Sequence, residues 1–159
     1  MPTLKSNDSD PFACALRILG RREHSSAELR SKLARLGFSA PEIEPVLARC
    51  REYNYLDDRR YALARCHELL RRGGGIGIRL RLDLRQRGVA ENLIDEVLNQ
   101  INDEISPGEV LRQQLERRFA GFDYAAAGEK ERRRVIQHFL RRGFTFDQIF
   151  AVLKNTNEP

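Results

Sequence analysis

The residues best typed for chemistry in this chain are its arginines and one pair of aspartates. Arginine makes up 24 of the 28 basic residues. Its planar guanidinium fork pairs with phosphate or carboxylate through parallel N–H bonds and stacks on nucleobases, whereas a lysine ammonium offers only a point charge. Six arginines, Arg71, Arg72, Arg79, Arg81, Arg85 and Arg87, stand against a single acid, Asp83, between positions 71 and 88. That local surplus equals the formal net charge of the whole chain, +5. A second basic cluster comprises Lys130, Arg132, Arg133, Arg134, Arg141 and Arg142. Clusters of this kind contact nucleic acid or dock on an acidic protein. A genome rich in G and C is the other source of such a bias, and a solvated helix face is the ordinary place for a charge run.

Asp57 and Asp58 could in principle serve acid–base or metal chemistry. Adjacent helical residues point about 100° apart, so two neighbours do not converge on one atom. An N-cap followed by an acid that suits the helix dipole is the simpler reading. His24, His67 and His138 are scattered and show no metal-ligand spacing. Cys14, Cys50 and Cys66 form no Cys-x-x-Cys pair and read as small buried apolar residues, which fits a reducing cytoplasm. Gly73–Gly77 lacks the Gly-Lys-Ser/Thr ending of a phosphate loop and reads as a flexible joint. Tyr55, Tyr61 and Tyr124 could stack on bases, with core or rim packing the alternative. Neither Gly-x-Ser-x-Gly nor His-Glu-x-x-His occurs. These features point to a binding protein, not an enzyme, with no cofactor and no metal. There is no apolar run of about 18 residues to cross a membrane. The first ten residues, MPTLKSNDSD, carry no apolar signal core.

The elements that must position the arginines are helices. Asp10-Pro11 is an N-cap followed by proline at the first helical position. Ser25–Glu28, Ser39–Glu42, Ser106–Glu109 and Thr145–Gln148 are capping boxes, in which a hydroxyl takes a backbone N–H and the Glu or Gln reaches back. Asp57 caps a helix carrying Ala62, Cys66, Leu69 and Leu70. One stretch is ambiguous: Ile76, Ile78, Leu80, Leu82 and Leu84 alternate as in a strand. On a helix, Ile76, Leu80 and Leu84 fall within about 80° of one another, leaving Ile78 and Leu82 as a second apolar face.

Internal comparison resolves the ambiguity. When Gly37, Gly88 and Gly143 are aligned, the residues eight before are Leu29, Leu80 and Val135, and those four before are Leu33, Leu84 and Phe139. One after stand Phe38, Val89 and Phe144; six after, Ile43, Ile94 and Ile149. Nine and ten after stand Val46-Leu47, Val97-Leu98 and Val152-Leu153. The ambiguous stretch thus fills the slot of a capped helix, and its two apolar faces are expected to be buried. The glycine spacings are 51 and 55 residues, so the chain is a repeat protein. The expected fold is all-α, three tandem three-helix repeats in an elongated, curved array. The expected boundaries are a disordered 1–9, repeats at 10–55, 56–103 and 104–155, and a frayed 156–159. Between Gly88 and Leu111 there are six acids and no base, so the basic surplus of the middle repeat should face an acidic neighbour.

Four elements resemble the RecX family, regulators of the RecA recombinase. Tyr55-Leu56-Asp57-Asp58-Arg59-Arg60-Tyr61-Ala62 resembles its Leu-Asp-Asp signature, within which Leu56, Asp57, Asp58, Tyr61 and Ala62 match. Ser25–Leu36 resembles its Ser-x-x-Glu-Leu element. Arg79–Gly88 and Phe139–Phe144, ending on Gly88 and Gly143, resemble its later basic helix ends. The resemblance spans residues 12–154. It implies a cytoplasmic, all-helical monomer of three repeats, without catalytic residues. It further implies binding to RecA and to the RecA filament on single-stranded DNA, with double-stranded DNA as a further ligand. Such binding would restrain ATP hydrolysis, strand exchange and repressor cleavage. Arg79 stands where the family often has an apolar residue, and Gly73–Gly75 is a longer glycine run than usual. A helix-turn-helix-like duplex-binding regulator is the rival reading, although the helix of Arg79–Gln86 has few of the Asn, Gln, Ser and Thr side chains that read base edges. A protein scaffold with no nucleic-acid role is the third.

Overall fold

The computed structural model describes residues 10–155, so the expectations for 1–9 and 156–159 fall outside the described residues. Among the described residues all regular structure is α-helical: α1 Pro11–Arg21, α2 Ser26–Arg35, α3 Ala40–Glu52, α4 Asp58–Arg72, α5 Ile78–Gln86, α6 Glu91–Glu104, α7 Pro107–Arg118, α8 Glu129–Arg141 and α9 Phe146–Asn155. The ambiguous leucine stretch is therefore helix, as the repeat alignment requires.

The caps explain why the helices begin where they do. Asp10 Oδ1 accepts the Phe12 N–H at 3.2 Å, with Pro11 at the first helical position. Thr145 and Gln148 exchange reciprocal bonds, the Gln148 N–H to Oγ1 at 3.2 Å and the Thr145 N–H to Oε1 at 2.9 Å. Ser25 Oγ accepts from the Glu28 N–H at 3.1 Å, but the Glu28 carboxylate turns outward to Arg22, Tyr61 and Arg87. That box is thus half made, because a longer-range cation cluster competes for the acid.

The chain divides into two compact units, Met1–Ala64 with Leu84–Ile94, and Arg65–Asp83 with Asp95–Pro159. In the first, α1, α2 and α3 pack on one another around Cys14, Leu29, Leu33, Ile43, Leu47 and Cys50. In the second, α9 packs on α7 and α8 around Leu111, Leu115, Val135, Phe139 and Ile149, and Ile76 joins that core. Every apolar residue of the repeat alignment is buried except Phe38, which is half-buried. The alignment located the core correctly because apolar type at fixed spacing is what a repeated packing surface demands.

Two expectations are corrected. The second face of α5 is not buried: Ile78 is 55% and Leu82 38% exposed, while Leu80 and Leu84 are fully buried. A helix of this length covers one face, and periodicity does not say whether another element meets the other. The Gly73–Gly77 run is not a free joint. The Ile76 N–H donates to the Arg142 carbonyl at 2.8 Å, and Arg142 Nε donates to the Gly73 carbonyl at 2.9 Å. A Cβ on Gly143 would lie 2.2 Å from the Ile76 carbonyl oxygen, and one on Gly75 would lie 2.8 Å from the Arg142 oxygen. The glycines let two backbone segments touch.

Candidate nucleic-acid interface

The Leu-Asp-Asp signature is a structural joint of the first unit. Leu56 and Ala62 are core residues. Asp57 Oδ1 accepts the Arg60 N–H at 3.0 Å and so caps α4. Asp58 does more than suit the dipole: its Oδ1 accepts the Ser26 N–H, at the start of α2, at 2.6 Å. The buried Tyr61 donates its hydroxyl to Glu28 at 3.0 Å and accepts from Arg87 at 3.2 Å. Burial disfavours the Glu28 charge, yet the bonds from Tyr61 and Arg22 and the Arg22 charge hold its carboxyl below the usual range. Gly88 closes α5, where an added Cβ would lie 2.3 Å from Ala27 Cβ.

The arginines fall into two groups by what they touch. Arg81 pairs with Asp95 at 2.7 Å, Arg85 with Glu91, and Arg87 with Glu28 at 3.1 Å. The acidic start of α6 thus meets the basic α5, as the charge pattern anticipates. Arg72 reaches Glu68 at 2.9 Å and Arg133 reaches Glu129 at 2.8 Å, both one helical turn away. Arg132 donates to the Tyr124 and Ala125 carbonyls and lies 4.7 Å over the Tyr124 ring. Arg134 lies 6.0 Å from the Phe119 ring centroid. By contrast, Arg71, Arg79, Arg141 and Lys130 have no carboxylate partner among the described residues, and the same holds for Arg117 and Arg118 at the end of α7.

In the second unit several of these cations converge. A cleft of about 230 Å³ is walled by Arg72, Arg117, Arg118 and Arg142, with Gly73, Gln114 and His138. A smaller cleft of about 200 Å³ shares Gln114 and Arg117 with it and adds Arg71. No carboxylate lines either one. Gln114 Nε2 is buried without an acceptor among the described residues. Burial, then the charges of Arg118, Arg141 and Arg79, lower the proton affinity of Arg142. Burial first, and then Arg142, Arg118, Arg141 and Arg134, push the His138 pKa down to about 4. His138 is therefore neutral, and its Nδ1 accepts from Arg142 Nη1 at 3.3 Å. Donors and cations with no matching acid make a place for anionic oxygen.

Sequence reasoning finds Arg71, Arg72 and Arg142 of this group but passes over Gln114, Arg117 and Arg118. Two basic residues in a last helical turn look like complements of the helix dipole. Only folding places them beside α4 and α8. Outside the cleft, the buried Cys66 thiol is pushed up to about 12 by desolvation, so it is an inert apolar residue at neutral pH.

Nine helices among the described residues, with a core repeated at fixed spacing, define an all-helical repeat protein, and its second unit carries an arginine-lined cleft. Three family models match it in order: RecX, first three-helix domain, over residues 12–50; second, over 57–98; third, over 108–153. Regulatory protein RecX of Syntrophotalea carbinolica is 40% identical over 142 residues, covering 89% of this chain and 93% of the relative. Regulatory protein RecX of Trichlorobacter lovleyi is 39% identical over 147 residues, covering 92% and 96%. The crystal structure of RecX from Lactobacillus salivarius matches the fold with a TM-score of 0.73 at 17% identity, over 92% of this chain and 94% of that one. The chain belongs to the RecX family.

Proposed function

We propose that this protein regulates the RecA recombinase by binding the RecA filament on single-stranded DNA and restraining its ATP hydrolysis, strand exchange and promotion of repressor cleavage. The observation that carries this reading, in a chain of the RecX family, is the two adjoining clefts, lined by no carboxylate, that hold Arg71, Arg72, Arg117, Arg118 and Arg142 between them. Phosphate oxygens are the anions a guanidinium cluster holds best, and single-stranded DNA offers a row of them. Lys130 and Arg141, exposed and without acidic partners among the described residues, extend the basic surface. Arg79, Arg132, Arg133 and Arg134 belong to the same candidate set.

The action is binding, not catalysis. A regulator that holds one filament state more tightly than another shifts the filament toward that state by the difference in affinity, with no chemistry of its own. We read the protein as a cytoplasmic monomer with repeats at 10–55, 56–103 and 104–155. No helix among the described residues is long and apolar enough to cross a membrane, which accords with that reading.

The test is a titration into RecA assembled on single-stranded DNA, with ATP hydrolysis as the readout. Hydrolysis is expected to fall at ratios at or below one regulator per RecA. Unchanged hydrolysis at a stoichiometric excess would overturn the proposal.

A further inference from the structure

The first compact unit holds a basic cleft of its own, at about 490 Å³ larger than the two of the second unit and built from residues outside the arginine clusters. It lies between α1 and α2. On α1, Arg17 and Arg21 are one turn apart, with Ile18 beside them; Lys32 of α2 is one turn from Leu36, the residue that caps that helix. The turn between the helices adds Arg22 and His24. No carboxylate lines the cleft. Arg22 is already paired with Glu28 at 3.2 Å. Arg21 and Lys32 have no acidic partner among the described residues. Ile18 is partly buried, and Leu36 is 60% exposed, so the cleft also has an apolar side.

His24 supplies the most specific feature. Its side chain is 1% exposed. Its Nδ1 lies 2.8 Å from the Arg22 carbonyl oxygen, which can only accept, so Nδ1 carries the ring proton. Nε2 is then a buried lone pair, and no donor among the described residues meets it. An unmatched buried acceptor is unfavourable until a donor reaches it. The wall therefore offers two unmatched cations and an apolar surface, with His24 and its unmatched nitrogen among the lining residues, in a volume that suits a small organic ligand.

We propose that this cleft binds a nucleoside polyphosphate. Arg21 and Lys32 take phosphate oxygens, the base lies against Ile18 and Leu36, and an amino or hydroxyl group of the nucleoside donates to His24 Nε2. An inorganic polyphosphate satisfies only the cations. A nucleic-acid strand carries the same phosphates but places no single base and no single donor at a fixed distance from Ile18, Leu36 and His24. The proposal does not rest on RecA regulation, since none of these residues belongs to the cleft of the second unit.

Calorimetry on the full chain with magnesium-free ATP, inorganic tripolyphosphate and a short oligothymidylate separates the sources. Nuclear magnetic resonance of the His24 ring locates the binding. ATP is expected to bind at least about tenfold more tightly than tripolyphosphate and to shift the His24 signals. Arg21→Gln with Lys32→Gln should weaken ATP by about tenfold or more, and Leu36→Ser should remove its advantage over tripolyphosphate. These side chains line the cleft away from the core, and thermal melting checks that the variants fold. Absence of ATP binding at millimolar concentration would overturn the proposal. So would unchanged affinity in the double variant, equal affinity for ATP and tripolyphosphate, or displacement of ATP by the oligothymidylate at equal phosphate concentration.

Discussion

His138 shows how the cleft acts on a single residue. It lies edge-on to the Phe119 and Phe139 rings, with centroids 5.0 and 5.1 Å away, and accepts a bond from Arg142. A proton on Nδ1 would break that bond and add a fifth charge beside Arg142, Arg118, Arg141 and Arg134. Its pKa is lowered from 6.5 to about 4, so below pH 6.5 the unfolded chain takes a proton that the native chain refuses. Stability should therefore fall as pH drops from 6.5 towards 4, by roughly 3 kcal/mol from this group alone. Urea unfolding at several pH values should show the loss in the native chain, and His138→Gln should lack that part of it. A bound phosphate relieves the repulsion, so the His138 pKa should rise when an oligonucleotide occupies the cleft. Ring resonances titrated with and without the oligonucleotide would show this directly. At this scale, local roles were legible in the sequence and distant ones were not. Asp57 caps its own helix at 3.0 Å, whereas Asp58 holds an N–H 32 residues away.

At the scale of elements, the repeated glycines separate two effects. Gly37, Gly88 and Gly143 end α2, α5 and α8 with φ of 97°, 76° and 93°. Glycine adopts this left-handed conformation without the Cβ penalty. Around Gly37 the space for a Cβ is open, so Gly37→Ala should cost only about 1 kcal/mol of backbone strain. Gly143→Ala adds a collision with the Ile76 carbonyl and should cost on the order of 3 kcal/mol, the strain plus the disturbed Ile76–Arg142 bond. Urea midpoints of the two variants measure the difference, and equal losses would contradict the docking of the glycine segment. Spacing revealed the three helix ends because each is written in a few neighbouring residues. The docking was hidden because it joins positions 76 and 142. The exposure of Ile78 and Leu82 was hidden for a related reason: a helix's pattern marks its apolar faces and not what covers them.

Across the whole molecule, the net charge of +5 says less than how the charges are partnered. The alternating arginine stretch Arg79–Arg87 is largely matched within the fold, since Asp95, Glu91 and Glu28 take Arg81, Arg85 and Arg87. Arg117 and Arg118, inconspicuous in the sequence, remain unmatched in a cleft that no acid lines. A phosphate must break an existing pair to reach Arg81 or Arg85, but Arg117 and Arg118 have no carboxylate partner among the described residues, so reaching them breaks no ion pair. The measurement that tests this most directly compares two double variants that remove the same charge. Single-stranded DNA binding of Arg117→Gln/Arg118→Gln and of Arg81→Gln/Arg85→Gln is followed by fluorescence anisotropy over a range of salt. The cleft variant should bind about tenfold or more weakly, with the slope of log affinity against log salt reduced by about 0.7 for each phosphate no longer neutralised. The paired-arginine variant should stay within about threefold of the native chain, at the modest worth of exposed ion pairs. Equal losses in the two variants, or a larger loss in the second, would contradict the assignment of the interface to the cleft.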